Sequence, residues 1–469
     1  MERYFLKAKT KQKNVLIFLL FSLWPTICLG SSDFMSQSTE PSVSVQSTFK
    51  NGTAGQLKKG WCEVQNGILI LHLKGNPYEM GYQQGMLIKE MIGGIGDDPA
   101  SMFGLDEQTE AGIRLATKQM EKFIPEELRE QLKGLAEALI APYEDILFVN
   151  TFIDVMFSQG CTNFLVHDKA SQGGQVIHGC NIEINNLVVN RAIMNNGKNV
   201  FMAVYQPSSG RRFAVIMPSP FLIYGFFGIN DAKITAGLTN LPAIDKTLNG
   251  IPTFMLLRKV LQYADSVTTA QKITESTPRS WGASFMFADG KTNEGGSVEF
   301  SAKKSARRSS TNGVLFETNR MADRALYDQM EKGTVTETFE EWMDIREQRF
   351  RKLFQTYYGK IDVITASRIL RDNLDLRTGK SSLEIPVLGC HANIASAIFR
   401  PADLDFWVAR GCLPMCYSEY VGFNLNALLE REKSRVEPPS VPQDSFLNTE
   451  TFQSEIKRIE KQVKQFRHR

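Results

Sequence analysis

The spacing of hydrophobic and polar residues changes once along this chain, close to residue 160. Before that point apolar residues recur at helical spacing, and Pro77, Pro125 and Pro142 each stand where a helix is expected to begin. After it, short apolar runs alternate with turns rich in Gly, Asn and Asp, which is typical of β-strands. The sequence therefore predicts a helical N-terminal segment over residues 59–160 and a strand-rich body over residues 161–430.

Strands and helices alternate in blocks within this body. Strands are expected at 174–179, 213–217, 233–238, 283–288, 296–300, 393–399 and 406–409, and helices at 253–263, 267–275, 339–357 and 364–373. One further strand, at 67–73, precedes the first helix of the N-terminal segment. Runs of strands flanked by runs of helices predict sheets that are covered by helical layers. We therefore expect an α+β fold, a mostly antiparallel four-layer αββα sandwich.

Residues 431–469 form a charged tail that contains Pro438 and Pro439. The last part of the tail places five apolar side chains on one helical stripe: Phe452, Ile456, Ile459, Val463 and Phe466. This pattern predicts a C-terminal helix that docks on the body, although a short coiled-coil contact would use the same stripe.

Residues 1–30 have the pattern of a secretory signal peptide. Cationic residues precede an apolar run from Val15 to Leu23, and a small-residue site ends at Gly30. An uncleaved anchor is the alternative, but Pro25 interrupts the run, which is shorter than the ~20 apolar residues of a spanning helix. We expect removal of this segment, no stable membrane span afterwards, and a secreted, periplasmic or lysosomal location. Residues 31–58, rich in Ser, Thr and Gln, are expected to be a disordered leader.

Charge and composition argue against a nucleic-acid partner. The chain has 54 Lys and Arg against 51 Asp and Glu, a formal net charge of +3, and removal of the signal peptide leaves it close to neutral. A nucleic-acid-binding face would need a clear cationic excess. Cys412 and Cys416 are close enough in sequence to form a disulfide in an oxidising compartment. Their spacing is a weak signal for a metal pair, because no second ligand pair accompanies them. No metal or organic cofactor is expected, and most of the cysteines are expected to be buried free thiols.

Cys161 carries the most informative chemistry in the sequence. It follows Gly160 and opens an apolar alternating run behind a helical region. Cleavage between these two residues would give Cys161 both a thiol and a free α-amine, and an amine with a pKa of about 8 can accept the proton of a thiol with a pKa of about 8.5. A histidine base is then unnecessary, although a Cys/His pair that uses His178 or His391 remains an alternative.

Six short motifs occur along the chain outside the signal peptide, at residues 75–85, 160–162, 178–181, 225–231, 317–319 and 408–411. In their order and spacing they resemble the acyl-coenzyme A:6-aminopenicillanic acid acyltransferase-like group of N-terminal-nucleophile hydrolases, of the peptidase family C45 type. The resemblance implies a proenzyme that cleaves itself before Cys161 into an α/β heterodimer, an αββα core, and hydrolysis of an amide bond or acyl transfer.

The resemblance also implies which residues assist the cysteine. In the family, a downstream motif that is commonly Gly-Arg-Asn-x-Asp supplies an aspartate to hold the new α-amine. Here the matching run has Cys180 in place of the arginine and Glu183 in place of the aspartate. Asn319 matches a Thr-Asn position and is the candidate donor for the oxyanion of the tetrahedral intermediate.

Three further groups of residues are candidates for the site. Some relatives place an arginine at the head of a helix after the Thr-Asn segment, and Arg349 fits best, with Arg346 and Arg351 as competitors. Asn230 is a second candidate oxyanion donor, although Asn-Asp is also ordinary turn chemistry. Phe226 and Phe227 belong to an aromatic stretch that could receive an acyl chain, although such stretches are commonly core. All three remain predictions with a structural alternative.

These observations favour a secreted, self-processing cysteine amidohydrolase or acyltransferase that acts on a small-molecule acyl amide or thioester. One alternative is a catalytically altered relative that serves as a binding or structural module, because the motif at Glu183 departs from the family pattern. Another is a hydrolase of lipid amides of the ceramide or N-acylethanolamine type, which differs only in its substrate.

Overall fold

Two stacked β-sheets account for the strand-rich pattern of the body. The computed structural model describes residues 60–92, 105–156, 160–184, 200–327, 337–430 and 437–466. The expected signal peptide and leader lie outside these ranges. One sheet has nine strands and the other has six, with a separate two-stranded ribbon.

The nine-stranded sheet has the order β1-β2-β5-β6-β7-β8-β9-β10-β11. Its strands are β1 Trp61–Gln65, β2 Ile68–Gly75, β5 Phe201–Pro207, β6 Phe213–Met217, β7 Phe227–Asn230, β8 Ile234–Asn240, β9 Ala283–Asp289, β10 Glu294–Phe300 and β11 Ser305–Ser309. All neighbours are antiparallel except β2 and β5. The β1–β2 hairpin turns at Asn66 and Gly67, which both have a positive φ, as a tight Asn-Gly hairpin requires. This sheet therefore takes its first two strands from the N-terminal segment.

The six-stranded sheet has the order β12-β3-β4-β15-β16-β17 and is antiparallel throughout. Its strands are β3 Gly160–Val166, β4 Ile177–Glu183, β12 Val314–Glu317, β15 Asn393–Arg400, β16 Asp405–Arg410 and β17 Glu419–Asn424, and the ribbon consists of β13 Leu374–Asp375 and β14 Lys380–Ser381. The strand that carries Cys161 thus lies beside the edge strand β12.

Helices cover both outer faces of the two sheets. They are α1 Pro77–Ile92, α2 Glu107–Glu121, α3 Glu126–Leu139, α4 Tyr143–Met156, α5 Thr253–Tyr263, α6 Val267–Ser276, α7 Arg324–Tyr327, α8 Glu337–Tyr357, α9 Val363–Leu370, α10 Leu425–Glu430 and α11 Glu450–Phe466. Helices α1, α5 and α6 pack on the nine-stranded sheet, and α9 packs on the six-stranded sheet. From α8, Phe350 and Phe354 contact Phe164 of β3. The two sheets meet through β3, β4, β8 and β9, so the expected αββα sandwich is confirmed.

Close packing explains the sequence of the N-terminal helices. A side chain at Gly81 of α1 would lie 1.9 Å from the carbonyl oxygen of Gln131, and one at Gly134 of α3 would lie 2.1 Å from that of Tyr78. Glycine at both positions therefore lets α1 and α3 approach backbone to backbone. Among the described residues, no helix has the combination of length and apolar character that crossing a bilayer requires.

The described part of the tail docks on the body. Val441 pairs with Tyr420 of β17, and Trp407 Nε1 of β16 donates to the carbonyl oxygen of Pro439 at 2.9 Å. In α11, Phe452 and Ile459 are buried in a small cluster that includes Tyr417. This arrangement fits the docking role that the apolar stripe predicts.

Candidate active site

Cys161 is the second residue of β3, and it is only 2% exposed. It lies opposite Ile182 of β4, and its side chain shares a face of the sheet with that of Asn163. The Asn163 amide donates across the space between the sheets to the carbonyl oxygen of Leu238 and to Oγ1 of Thr239, at 2.7 Å each. The thiol of Cys161 therefore faces the nine-stranded sheet.

The Cys161 thiol is neutral in this uncleaved chain. Burial raises its pKa to about 12, and the charge of Glu183 acts in the same direction. Hydrogen bonds from the backbone of Asn240 and Glu183 and the charge of Arg346 oppose this effect without cancelling it. The thiol needs a base close to its own sulfur before it can act as a nucleophile at neutral pH.

Gly160 precedes the thiol on the same strand and pairs with Glu183. A side chain at residue 160 would lie 3.2 Å from Oε2 of Glu183 and 3.7 Å from Oδ1 of Asn319. The φ of Gly160 is not in the left-handed region. Glycine is therefore explained here by the small space available for a side chain, and not by the backbone conformation. The Gly160–Cys161 peptide is consequently flanked by one carboxylate and one side-chain amide.

Glu183 belongs to a buried ion pair on the other face of β3. Its Oε2 accepts from Nη2 of Arg346 at 2.9 Å, and its Oε1 accepts from the hydroxyl of Thr162 at 2.8 Å. Arg346 also donates to the Thr162 hydroxyl and to the carbonyl oxygen of Val387. Burial raises the pKa of Glu183 although Arg346 and Thr162 favour its charged form. Both partners of the pair are 2% exposed, so removal of either would leave a buried charge.

Asn319 lies two residues after the end of β12 and accepts a hydrogen bond from the backbone nitrogen of Cys161. The Cys161 N–H donates to Oδ1 of Asn319 at 3.1 Å, while Nδ2 of Asn319 donates to the carbonyl oxygen of Asn240 at 2.8 Å. Asn319 thus connects the start of β3 with the end of β8. The structure brings together four of the residues that the sequence singles out, namely Gly160, Cys161, Glu183 and Asn319.

The structure corrects the choice of arginine. Arg349 forms a bidentate pair with Asp372, at 2.7 and 2.5 Å, and has no contact with Glu183. Arg346, one turn earlier on α8, is the arginine at the site. The two positions are three residues apart and lie on the same face of one helix, so the sequence does not show which of the two arginines contacts Glu183.

Asn230, Phe226 and Phe227 are also placed away from the predicted roles. Asn230 donates to two carbonyl oxygens at the end of α5 and accepts from the backbone of the β7–β8 turn, so its amide is fully engaged in structure. Phe226 packs on Phe254 and Phe227 packs on Phe399, and both are at most 1% exposed. The two phenylalanines are core residues, and Asn230 closes a turn.

Asn240 is the residue that the sequence reasoning missed. It supplies a backbone hydrogen bond toward the Cys161 thiol and accepts from Asn319. A signal was present, because a Thr-Asn pair ends β8 just as Thr-Asn pairs stand at 162–163 and 318–319. The three pairs converge on the same site.

Cys180 takes the place of the family arginine and lies beside a histidine. Its sulfur is 3.3 Å from Nε2 of His178, whose Nδ1 is 2.8 Å from Oγ1 of Thr235. Burial lowers the pKa of His178 to about 3, so its ring is neutral. The alternative Cys/His pair through His178 therefore involves Cys180, and His391 instead contacts the carbonyl oxygen of Leu383.

The remaining cysteines are free. In the described ranges, Cys62, Cys180, Cys390 and Cys416 are buried and Cys412 is exposed, and none forms a disulfide. The same residues contain no group of three or more His, Cys, Asp or Glu side chains that could hold a metal ion.

The αββα sandwich, with Cys161 as the second residue of the inner strand β3, is the fold expected from the resemblance to the N-terminal-nucleophile hydrolases. Residues 187–411 match the model of the family described as acyl-coenzyme A:6-aminopenicillanic acid acyl-transferase, slightly less than half of the chain. The resemblance seen in the motifs is therefore confirmed. The matched residues include Asn319 and Arg346, while Cys161 and Glu183 precede them.

Two curated proteins are similar over about half of the chain. A protein of Archaeoglobus fulgidus described as uncharacterized is 28% identical over 305 residues, which cover 55% of this chain and 49% of that protein. Protein dcd1B of Dictyostelium discoideum is 23% identical over 244 residues, which cover 46% of this chain and 47% of that protein. The similarity thus spans about half the length of these relatives.

Solved structures show a partial likeness. A mutant of the conjugated bile acid hydrolase from Clostridium perfringens is 14% identical, with a TM-score of 0.33, and the match covers 53% of this chain and 89% of that one. Penicillin V acylase from Agrobacterium tumefaciens is 13% identical, with a TM-score of 0.35, and the match covers 53% of this chain and 83% of that one.

Proposed function

We propose that this protein is an N-terminal-nucleophile amidohydrolase or acyltransferase that cleaves itself between Gly160 and Cys161 and then uses Cys161 as its nucleophile. The observation that carries the proposal is the environment of one peptide bond. The nitrogen of Cys161 is hydrogen-bonded to Asn319, and the Glu183 carboxylate lies beside Gly160. The thiol of the same residue stands next to the bond that would break.

Self-cleavage converts the peptide bond into a thioester and then into two chain ends. The Cys161 sulfur attacks the Gly160 carbonyl carbon, the C–N bond breaks, and the thiol proton passes to the Cys161 nitrogen. Water then hydrolyses the thioester, releasing the Gly160 carboxylate and restoring the thiol. The hydrogen bond from the Cys161 nitrogen to Asn319 at 3.1 Å would hold the new amine in place as it forms.

The freed amine supplies the missing base. It takes the proton of its own thiol, the sulfur attacks the carbonyl carbon of an amide or thioester, and the leaving group departs with that proton. Water or an amine then attacks the acyl group on Cys161. Asn319 and the Glu183–Arg346 pair orient the amine, and donors near the sulfur, including the backbone N–H of Asn240, would stabilise the oxyanion.

The cleaved pieces would stay together as an α/β heterodimer. Strand β2, from the first piece, pairs along seven residues with β5, from the second piece, and α1 packs on the same sheet. We further propose that residues 1–30 direct the chain into a secreted, periplasmic or lysosomal location, and that the substrate is a small acyl amide or thioester.

A second candidate function is a non-catalytic binding module. Cys180 favours this alternative, because it replaces the arginine of the family motif and its sulfur contacts Nε2 of His178. Arg346 weakens this alternative, because it delivers a guanidinium to Glu183 from α8 instead.

Intact-mass analysis of the purified chain tests the proposal. We expect two pieces that meet between Gly160 and Cys161, and a single uncut chain for Cys161→Ala. Cys62→Ala is the matched control, because Cys62 is also buried and free but lies on β1. An uncut wild-type chain whose Cys161 does not react with small electrophiles would favour the binding module.

A further inference from the structure

The loop that follows β8 holds two large aliphatic side chains out in solvent. It begins after Asn240, whose backbone contacts the Cys161 thiol, and it runs from residue 241 to residue 252. Ile244 is 56% exposed and Leu248 is 41% exposed, with Lys246 exposed between them. Every second residue from 244 to 248 therefore faces outward.

The residues between these positions fix the loop to the body. Oδ2 of Asp245 accepts from the hydroxyl of Ser301 at 2.8 Å and from the backbone N–H of Lys303 at 3.0 Å. The Thr247 N–H donates to the carbonyl oxygen of Ser280 at 2.8 Å. Ile244 and Leu248 are thus presented by an anchored loop, which has already lost the conformational freedom that a flexible loop would lose on binding.

A third exposed aliphatic residue flanks the loop. Asn249 accepts from Nε2 of Gln119 on α2 at 2.7 Å, which places α2 beside the loop. Leu115 lies one turn before Gln119 on the same face of the helix and is 65% exposed. Scattered exposed aliphatic residues are normal, but the Gln119–Asn249 contact makes Leu115 a neighbour of the loop that presents Ile244 and Leu248. These three residues therefore define an exposed apolar patch, which is a candidate docking site.

Lysines border this patch on two sides. Lys118 and Lys122 are exposed on α2, following Leu115 along the helix. Lys303 and Lys304 are exposed in the β10–β11 turn to which Asp245 is anchored. Aliphatic side chains bordered by lysines are complementary to an anionic lipid surface. The aliphatic side chains can enter the headgroup layer, and the lysines can pair with lipid phosphate or carboxylate groups.

We propose that Leu115, Ile244 and Leu248, with the four bordering lysines, form a docking surface for an anionic lipid surface. Ile244 is four residues beyond Asn240, which limits its distance from that site residue to at most about 14 Å. Docking would therefore hold the site close to the lipid headgroups. If the proposed function holds, this docking surface implies that the acyl amide or thioester substrate is an amphiphile in a lipid layer. That consequence, though not the docking itself, rests on the proposed function.

Vesicle co-sedimentation of the full chain tests the docking surface. We expect binding to phosphatidylcholine vesicles that contain about one third phosphatidylserine, and weaker binding to pure phosphatidylcholine. Combining Ile244→Ser with Leu248→Ser should weaken binding about tenfold or more, because the inserted apolar area is lost. Combining Lys303→Gln with Lys304→Gln should weaken binding to the anionic vesicles about fivefold for each lysine and should reduce its salt dependence.

Matched substitutions elsewhere provide the control. Val64 and Ile364 are 46% and 48% exposed and lie outside the patch, so combining Val64→Ser with Ile364→Ser should leave vesicle binding unchanged. Equal loss in this control, or no binding by the wild-type chain to anionic vesicles, would overturn the proposal. A chain that self-associates through the patch, ignores vesicles, and becomes monomeric with Ile244→Ser and Leu248→Ser would overturn it in favour of a second copy as the partner.

The same samples separate this inference from the proposed function. Mass analysis of the Ile244→Ser, Leu248→Ser chain should show the same cleavage before Cys161 as the wild type, because neither residue contacts the site. Vesicle binding without cleavage in the wild type would leave the docking surface standing and remove the proposed chemistry. Cleavage without vesicle binding would support the proposed chemistry and rule out the docking surface.

Discussion

The two faces of strand β3 have opposite character. On the face toward the helices, Thr162 joins the buried ion pair of Glu183 and Arg346. On the face toward the nine-stranded sheet, burial raises the pKa of the Cys161 thiol to about 12. A charged group on this face is Glu317, the cross-strand partner of Asn163, whose carboxylate accepts from the hydroxyl of Ser284. One residue step along the strand therefore separates a charged network from a neutral thiol.

This separation explains why cleavage would matter. In the uncleaved chain, the Glu183 charge on the outer face raises the pKa of that thiol, and the Arg346 charge acts in the opposite direction. The Cys161 nitrogen, at the start of the strand, is held by Asn319 and lies close to both faces. Breaking the Gly160–Cys161 bond would convert this nitrogen into a base beside the thiol without moving either face.

The largest effect on stability is expected from Arg346→Met, which removes the ion pair on the outer face of β3. Glu183 would be left as a buried and unpaired carboxylate, and the free energy of unfolding should fall by about 3–5 kcal/mol. Self-cleavage should slow as well, because the carboxylate beside Gly160 would lose its fixed position. Urea unfolding and the time course of cleavage by intact mass measure the two effects.

Arg349→Met is the control on the same helix. Its pair with Asp372 is partly exposed, at 14% and 10%, so its loss should be less destabilising and should leave cleavage unchanged. Combining Glu183→Leu with Arg346→Met should restore much of the stability without restoring cleavage, because no buried charge remains unpaired. Restored cleavage in this double variant would show that the pair serves folding alone.

Much of the scaffold can be predicted from the sequence because it depends on local pattern. The helix expected at 253–263 and the strand expected at 213–217 have the observed bounds of α5 and β6. The strand expected at 174–179 begins later, at Ile177, because Gly173 and Gly174 have a positive φ and form a turn. Strand β1 was not expected, although Asn66 and Gly67 are the strongest short hairpin signal.

The site is harder to predict because it depends on contacts between distant elements. Cys161 and Asn319 are 158 residues apart in sequence and meet because β3 pairs with β12, and the motifs point to both as candidates. Arg346 and Arg349 could not be separated, because the rotation of α8 decides which one meets Glu183. The aromatic stretch around Phe227 suggests a pocket for an acyl chain, but the sheet buries this residue against Phe399.

A smaller effect than that of Arg346→Met is expected on the pH dependence of stability. It comes from a buried carboxyl group that lies on neither face of β3, and it can be compared with that of Glu183 on the outer face. Asp154, near the end of α4, accepts from the Thr253 N–H, and burial raises its pKa from about 3.8 to about 7. Its protonated form is favoured in the folded state, so its contribution to stability is complete below pH 3.8 and is lost as the pH rises through 7. The free energy of unfolding should fall by at most about 4 kcal/mol across this range.

Asp154→Asn isolates that contribution. Asparagine keeps an oxygen for the Thr253 N–H and does not titrate, so the difference in unfolding free energy between pH 5 and pH 8 should shrink relative to the wild type. The slope that remains includes Glu183 on the outer face, whose pKa is also raised by burial. An unchanged slope in Asp154→Asn would mean that this carboxyl has an ordinary pKa.

The smallest effect is expected on the inner face, from Gly237→Ala in β8. The new methyl group would lie 2.6 Å from Oδ1 of Asn163 and 2.9 Å from the sulfur of Cys180, so the two sheets would have to separate locally. Overpacking of this kind costs about 1–3 kcal/mol, measurable as a lower midpoint in urea. Gly112→Ala on α2 meets nothing within 4 Å and should be neutral or stabilising by up to about 1 kcal/mol. If Gly237→Ala slows self-cleavage while the outer ion pair is intact, the packing of the inner face contributes to the chemistry.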